Sequence, residues 1–457
     1  MSMDWRRLLC IDRPRPSEKP AADARTEFER DYDRAVFCTP VRRLQDKAQV
    51  FPLEPHDAVR TRLTHSLEVS TLARDLARAV AARLKGEGCL NDDQASALPT
   101  IAATAGLIHD LGNPPFGHAG EDAIRSWFAS RTEGFFAASE RSGRHAQDFL
   151  NFEGNAQTIR LVSRLQVLAD LHGLNLTYGS LSAACKYVAR SDEIDRNRHE
   201  FSKPGYFASE ERLIEQLRER TGTGQSRNPM TRLVEAADDL IYATVDLEDA
   251  VKKGVLDYRT LKEKIRDECN EDRSLADQVF EQSEKYLKRS PLPLPARMRD
   301  DALAQAFRIF TIIRSVPAVL EAFHAHYAQI MAGEFHGELV EKSAARSLIG
   351  ACKRLARQCV YCADEVIRLE VMGTRVIQDL LALFWNAAST CGEAAKPHDR
   401  NGKLYHLMSS NYRIVFEEGL RQGALPDLYL RCQLLTDYIC GMTDSFACSL
   451  HRRLLNG

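Results

Sequence analysis

Four residues, His65, the adjacent pair His109-Asp110, and Asp238, have types and settings that could hold a metal ion. Imidazole nitrogen and carboxylate oxygen suit a borderline or hard divalent ion, and each residue falls in a helix-compatible stretch whose rigidity can fix ligand geometry. Neighbours on a helix point about 100° apart. His109 and Asp110 therefore reach one ion only if it lies between their directions, with His65 and Asp238 closing the other side. Such a set leaves open positions for water and substrate. Taken singly, each residue has a plainer reading as a hydrogen-bonded histidine or a solvated carboxylate.

A second group follows directly: Gly112-Asn113-Pro114-Pro115-Phe116-Gly117-His118-Ala119-Gly120-Glu121. The prolines fix the exit of the preceding helix, and a new helix starting near His118 puts Glu121 three residues on, on the same face. A carboxylate there orients the imidazole and raises its pKa, which makes His118 a candidate proton donor near neutral pH. The alternative is a glutamate that only complements the helix dipole. A third group lies on a helix expected from Met230 to Val251, where Asp238, Tyr242 and Asp246 at i, i+4 and i+8 would line one wall of a pocket. A tyrosine at this spacing also reads as plain core.

The elements that must carry these residues are helices. Apolar residues recur at helical spacing, as in Leu67, Leu72, Leu76, Val80 and again in Leu233, Leu240, Ile241, Val245, and sustained period-two alternation is hard to find, so the fold class is all-α. Helices are expected from about Arg60 to Leu84, from about Leu98 to Leu111, and through Ala351 to Glu370. The stretches Ala129 to Asn151 and Arg190 to Gly205 read as lids or as surface loops. Ser290-Pro-Leu-Pro-Leu-Pro marks the clearest boundary. It divides the chain into an N-terminal extension (1–24), a catalytic core (25–290) and a C-terminal helical region (291–457) expected to pack on that core.

The composition is that of a globular chain: 44% apolar and 28% charged over 457 residues exclude a collagen-like, low-complexity or mainly disordered protein. With 62 basic against 64 acidic residues, there is no global pull toward nucleic acid or an anionic membrane. The 12 cysteines are scattered, and the pair Cys359 and Cys362 has no second pair at zinc-ribbon spacing. Met1 to Arg15 lacks the apolar stretch of a signal peptide, and no uninterrupted apolar run nears the ~20 residues a spanning helix needs. A reduced cytoplasmic protein outside the membrane is expected.

Taken together in order, these stretches are highly specific. Arg62-Leu-Thr-His-Ser, the segment His109 to Glu121, and Ala237-Asp-Asp-Leu-Ile-Tyr-Ala-Thr-Val-Asp-Leu-Glu-Asp249 resemble the HD-domain deoxynucleoside triphosphate triphosphohydrolases, the bacterial dGTPase-like group. Supporting matches are Phe28-Glu-Arg-Asp-Tyr-Asp-Arg34, Arg42-Arg-Leu-Gln-Asp-Lys-Ala-Gln-Val-Phe51, Asn151-Phe-Glu-Gly-Asn-Ala-Gln157 and Asp437-Tyr-Ile-Cys-Gly-Met-Thr-Asp444, so the likeness spans nearly the whole chain. The resemblance implies a metal held by His65, His109, Asp110 and Asp238, with His118 and Glu121 as the catalytic pair. It also implies Arg62 and Lys186 on phosphate oxygens, Gln49 and Val50 bordering the sugar, and Asn155, Tyr242 and Asp246 in the nucleotide pocket. One departure is Gly154, where several relatives carry a histidine; His145 is a nearby candidate to replace it.

The implied reaction splits a dNTP (dGTP or several dNTPs) into deoxynucleoside and inorganic triphosphate. It needs a divalent cofactor, Mg or Mn first and Fe, Co, Ni or Zn as alternatives, cations against the triphosphate, and an acid for the leaving 5′ oxygen. Whether His118 serves as acid, base or nucleophile stays open at this point. Relatives also imply a homo-oligomer, hexamers among them, and a dNTP or single-stranded DNA effector. Two rivals stand beside this reading. One is another HD phosphohydrolase, a nucleotidase or phosphodiesterase; the other is a nucleotide-sensing or single-strand nucleic-acid-binding module with vestigial catalysis.

Overall fold

Reciprocal side-chain caps set where the first two site-bearing helices begin. The computed structural model describes residues 2–17, 22–54, 56–135, 143–167, 170–269, 272–289, 292–392 and 395–455. Within them α1 (Arg62–Gly86) starts from Thr61, whose hydroxyl accepts from Thr64 N–H while Thr64 Oγ1 accepts from Thr61 N–H. Asn91 and Gln94 make the same reciprocal cap for α2 (Asp92–Ile108). That cap, with Asp92 and Asp93 in the first turn, explains why α2 begins before the expected Leu98 and carries Pro99 inside it. It ends at Ile108, and His109 is its C-cap.

The next helix, α3 (Gly117–Ala129), leaves Phe116 in the left-handed region at φ 62°. Then come α4 (Gly154–Arg160), α5 (Tyr178–Ala184) and α6 (Pro229–Lys253). Asn228 caps α6, Pro229 occupies its first turn, and Gly254 at φ 76° ends it. Further on lie α7 (Ala296–Ala325), α8 (Arg346–Leu355), a π-helical turn over Ala356–Val360, α9 (Asp364–Thr390), α10 (Asp427–Cys440) and α11 (Asp444–Leu455). The all-α reading holds: the described residues contain no strand, only isolated bridges at Ala48–Thr61 and Ala189–Pro204.

The expected continuous helix from Ala351 to Glu370 is corrected. It widens into the π turn and breaks at residues 361–363, and at the break Tyr361 donates its hydroxyl to Asp246 Oδ2 at 2.5 Å.

Packing brings α1 and α2 unusually close. Gly106 faces Ser70 so tightly that a Cβ there would lie 2.9 Å from Ser70 Cα, and Ser70 Oγ donates to Ala103 O at 2.8 Å. One apolar core gathers Leu76 and Val80 of α1, Leu98 and Ile101 of α2, Leu233 and Leu240 of α6, Phe307 of α7 and Leu348 of α8. A second takes up Leu107 and Ile108 with Trp127, Phe128, Phe384, Leu435 and Ile439. Each core draws on residues from both sides of position 290, and α2 crosses from one to the other just before His109. By length and composition α7 is able to cross a membrane; here its Leu303, Phe307, Val319 and Phe323 are buried in the first core, with Phe307 stacked on Phe280.

Candidate active site

The close approach of α1 and α2 sets the rings of His65 and His109 with centroids 5.4 Å apart. Facing them from α6, Asp238 Oδ1 lies 3.2 Å from His65 Nε2 and 3.6 Å from His109 Nε2. Asp110 Oδ1 is 3.6 Å from the same His109 nitrogen. Ligand atoms of His65, His109 and Asp238 lie within 4.8 Å of one another, as a shared ion requires.

Whether a divalent ion fits is answered by His109. Its Nδ1 donates to Gly106 O at 2.7 Å, which fixes the tautomer and leaves an Nε2 lone pair pointing among carboxylates. That Nε2 is buried and has no hydrogen-bond partner. Two imidazoles and two carboxylates around an orphaned lone pair fit a divalent cation. Burial alone would lower the His109 pKa, but Asp110 and Asp238 raise it to about 9, a measure of how strongly the set attracts positive charge.

The carboxylates are themselves oriented. Asp110 Oδ2 accepts from Arg62 Nη1 at 2.5 Å and its Oδ1 from Asn113 Nδ2 at 2.7 Å, while Asp238 Oδ2 meets Lys186 Nζ at 3.4 Å. Burial pushes both acids up, and the neighbouring cations more than reverse it: His109 and Arg62 for Asp110, and Lys186 and His109 for Asp238, hold them well below the ordinary range.

His118, on the first turn of α3, leaves 80% of its side chain exposed into an open cavity, and its Nδ1 lies 3.2 Å from Glu121 Oε2. This hydrogen bond raises the His118 pKa. Glu121 is buried, and its other oxygen accepts from Gly154 N–H at 2.8 Å. The cavity holds about 540 Å³ and is lined by His109, Asp110, His118 and Asp238 together with Gln49, Val50, Arg62, Asn155, Lys186 and Tyr242. His65 and Glu121 sit behind that wall, fully enclosed.

Two expectations need correction. Asp246 does not line the cavity; it is buried behind Tyr361, whose ring lies 6.1 Å from that of Tyr242. At 3.6 residues per turn, a residue eight positions on has rotated about 80° from the starting face, enough to carry it out of the wall. The second is His145 as a replacement for the imidazole that position 154 lacks. A Cβ on Gly154 would lie 2.2 Å from Asn113 Oδ1 and 2.9 Å from Glu121 Oε1, and His145 packs on Tyr429 away from the cavity.

Among the cavity residues that escaped the sequence reading are Tyr187, Lys203, Lys353, Arg357 and Tyr361. Lys203 comes from the 190–205 stretch, where Lys203 Nζ pairs with Glu153 at 3.1 Å and His199 Nε2 meets Glu235 of α6 at 2.9 Å. Of the 129–151 stretch, residues 136–142 lie outside the described residues. Nothing in the sequence around Lys353 and Arg357 signals a site; the packing of α8 and its π turn on α6, where Lys353 Nζ meets Asp239 at 2.7 Å, brings them to the cavity.

Fold and site define a class, the all-α HD phosphohydrolases: residues 62–197 match the HD domain and residues 339–453 the phosphohydrolase-associated domain. Among curated relatives, the deoxyguanosinetriphosphate triphosphohydrolase-like protein of Listeria monocytogenes is 37% identical, with 99% of each chain covered. The deoxyguanosinetriphosphate triphosphohydrolase of Serratia proteamaculans is 32% identical over 99% of each chain, and that of an Enterobacter species is 34% identical over 94% of this chain and 93% of its own. The chain belongs to the deoxyguanosinetriphosphate triphosphohydrolase-like family of HD-domain proteins.

Proposed function

We propose that this protein hydrolyses deoxynucleoside triphosphates, dGTP or several dNTPs, to deoxynucleoside and inorganic triphosphate. The observation that carries the reading is a single cavity with a four-residue N/O donor set, the His118–Glu121 pair and five cationic side chains (Arg62, Lys186, Lys203, Lys353 and Arg357) around it. Its volume falls within the roughly 300–1,000 Å³ typical of small-ligand sites. The deoxyguanosinetriphosphate triphosphohydrolase names of the Serratia and Enterobacter relatives support the same substrate class.

His65, His109, Asp110 and Asp238 would hold the ion, which when bound supplies Lewis-acid activation of water and of a phosphoryl oxygen. The protein's own groups do the rest. The five cations offset the triphosphate charge. His118, protonated on Nε2 and oriented through Nδ1 by Glu121, faces the cavity and gives its proton to the departing 5′ oxygen. Gln49 and Val50 close the sugar side, where a filled wall rejects a 2′-hydroxyl sterically. Asn155 and Tyr242 contact the nucleoside, and Asp246 acts at second hand by anchoring Tyr361.

In this reading the 25–290 core is completed by residues 353–370 of the C-terminal region, and the enzyme is a cytoplasmic homo-oligomer. Hexamers and a dNTP or single-stranded DNA effector are checked by sizing the protein with and without each ligand. The central experiment offers the four dNTPs, singly and mixed, with Mg, Mn, Fe, Co, Ni or Zn. Intact triphosphate and free deoxynucleoside are expected; monophosphate or orthophosphate would instead assign a nucleotidase or phosphodiesterase.

A further inference from the structure

The segment Asp437-Tyr-Ile-Cys-Gly-Met-Thr-Asp444 contributes nothing to the cavity wall, yet its last carboxylate reaches two edges of the cavity at once. Asp444 is 2% exposed; its Oδ2 accepts from Ala48 N–H at 2.9 Å and its Oδ1 from Phe116 N–H at 3.0 Å. Ala48 directly precedes Gln49 and Val50, and bridges to Thr61, the cap of the helix that bears Arg62 and His65. Phe116 is the left-handed residue before Gly117 and His118.

A bulky residue at positive φ persists only where its surroundings over-determine it. Here the surroundings are the Asp444 oxygen on the Phe116 N–H and Gly373 under the Phe116 ring, where a Cβ would lie 2.5 Å from Cγ. A second strut runs parallel: the buried Lys47 Nζ donates to Asn113 O at 2.5 Å and to Cys440 O at 2.7 Å, joining the same two edges to the same C-terminal segment.

We propose that Asp444 is a positioning residue for the reaction inferred above, on which this role rests: its two oxygens set the separation between the Gln49–Val50 edge and the His118 loop. The group that excludes the 2′-hydroxyl and the group that moves the proton then address one substrate in one pose. A carboxylate is required because two N–H donors on different segments need two acceptor atoms on one rigid plane. Asparagine offers one acceptor and one donor, so one edge is released.

The test compares Asp444→Asn, Asp444→Glu and, as a control, Asp31→Asn, another buried aspartate that holds Arg13 and Thr177 and has no place in the cavity wall. Asp444→Asn is expected to keep its metal content and to lose roughly 10- to 100-fold in kcat, the cost of about an ångström of misplacement. Its preference for dNTP over NTP should fall in parallel. Amide exchange should speed up in the peptide covering Ala48 or the one covering Phe116, with α1 unchanged. Asp444→Glu keeps both acceptors and should recover part of kcat; if the asparagine variant does not fold, the same measurements are made on the glutamate variant against wild type.

An Asp444→Asn variant that only melts earlier, the behaviour expected of Asp31→Asn, with kcat, deoxy preference and both amides unchanged, overturns the role. A variant that loses metal in step with activity also overturns it. If wild type itself releases no triphosphate from any dNTP, the proposed function fails and takes this role with it. That outcome is recognisable because the activity is then missing from wild type itself, whereas failure of the Asp444 role alone leaves wild type active.

Discussion

Asp110 shows how much one side chain is asked to do: it faces His109, accepts from Arg62 and Asn113, and stays ionised despite burial. Asp110→Ala should remove the bound metal and turnover together while far-UV circular dichroism stays helical. Normal metal content by elemental analysis with normal hydrolysis would contradict the ligand assignment. His118→Ala makes the opposite prediction. Metal is kept and the rate falls roughly 10²- to 10⁴-fold, the usual worth of a positioned proton donor, with a smaller loss for Glu121→Gln. Asp246 has a pH signature: burial pushes its pKa up to about 8, against roughly 3.9 in an unfolded chain. Between those values the folded state keeps a proton that the unfolded state has released, so stability falls as pH rises through the window. Asp246→Asn should abolish that slope, which is at most about 1.4 kcal/mol per pH unit. Thermal melts near pH 5 and pH 8 check it; parallel losses in both proteins would show that Asp246 is ionised.

Helix starts and close approaches decide the next scale. At the first residue of α4, Gly154 lets its N–H reach Glu121 while Asn113 Oδ1 passes above it. A methyl group there must displace Asn113, which orients Asp110, or Glu121, which orients His118. Gly154→Ala should therefore cost roughly 1–3 kcal/mol of stability, as overpacking does, and lower kcat more than a surface substitution of equal stability effect. Paired urea melts and kinetics decide; unchanged kcat would mean the loop relaxes without moving either acid. On α6, Tyr242 stands one turn from Asp238 and lines the cavity beside Tyr361. Tyr242→Ala should raise KM and weaken the preference for deoxynucleotides with metal content intact. Early melting with normal KM would assign the ring to the core.

Across the whole molecule, the C-terminal region is tied to the HD segment by buried charge. Arg160 of α4 donates to Asp437 of α10 at 2.6 Å and to Glu210 at 3.0 Å, and Gln157 Nε2 adds a bond to Asp437 at 2.9 Å. All three charged groups are nearly inaccessible. Breaking such a pair leaves an uncompensated charge inside the protein and typically costs about 3–5 kcal/mol. Asp437→Ala should lose that much in denaturant unfolding; a loss below about 1 kcal/mol would mean Glu210 alone satisfies Arg160.

Local patterns were legible without coordinates. Apolar spacing marked helices, and hence an all-α fold, because a helix face is set by residues three and four apart. His65, His109, Asp110 and Asp238 stood out because their types suit a divalent ion, and His118 with Glu121 because one helical turn joins them. Other features depended on which faces meet. Gly106 against Ser70 brings two histidines on different helices together, and the packing of α8 and the turn after it sets Lys353 and Tyr361 on Asp239 and Asp246 of a helix more than a hundred positions away. The start of α2 ahead of Pro99 and the retreat of Asp246 behind Tyr361 belong with these. Residue type and short spacing determine what a side chain can do and which way it points along its own helix. Only close packing between distant segments decides what it points at, because that contact is a property of both surfaces and is written in neither one alone.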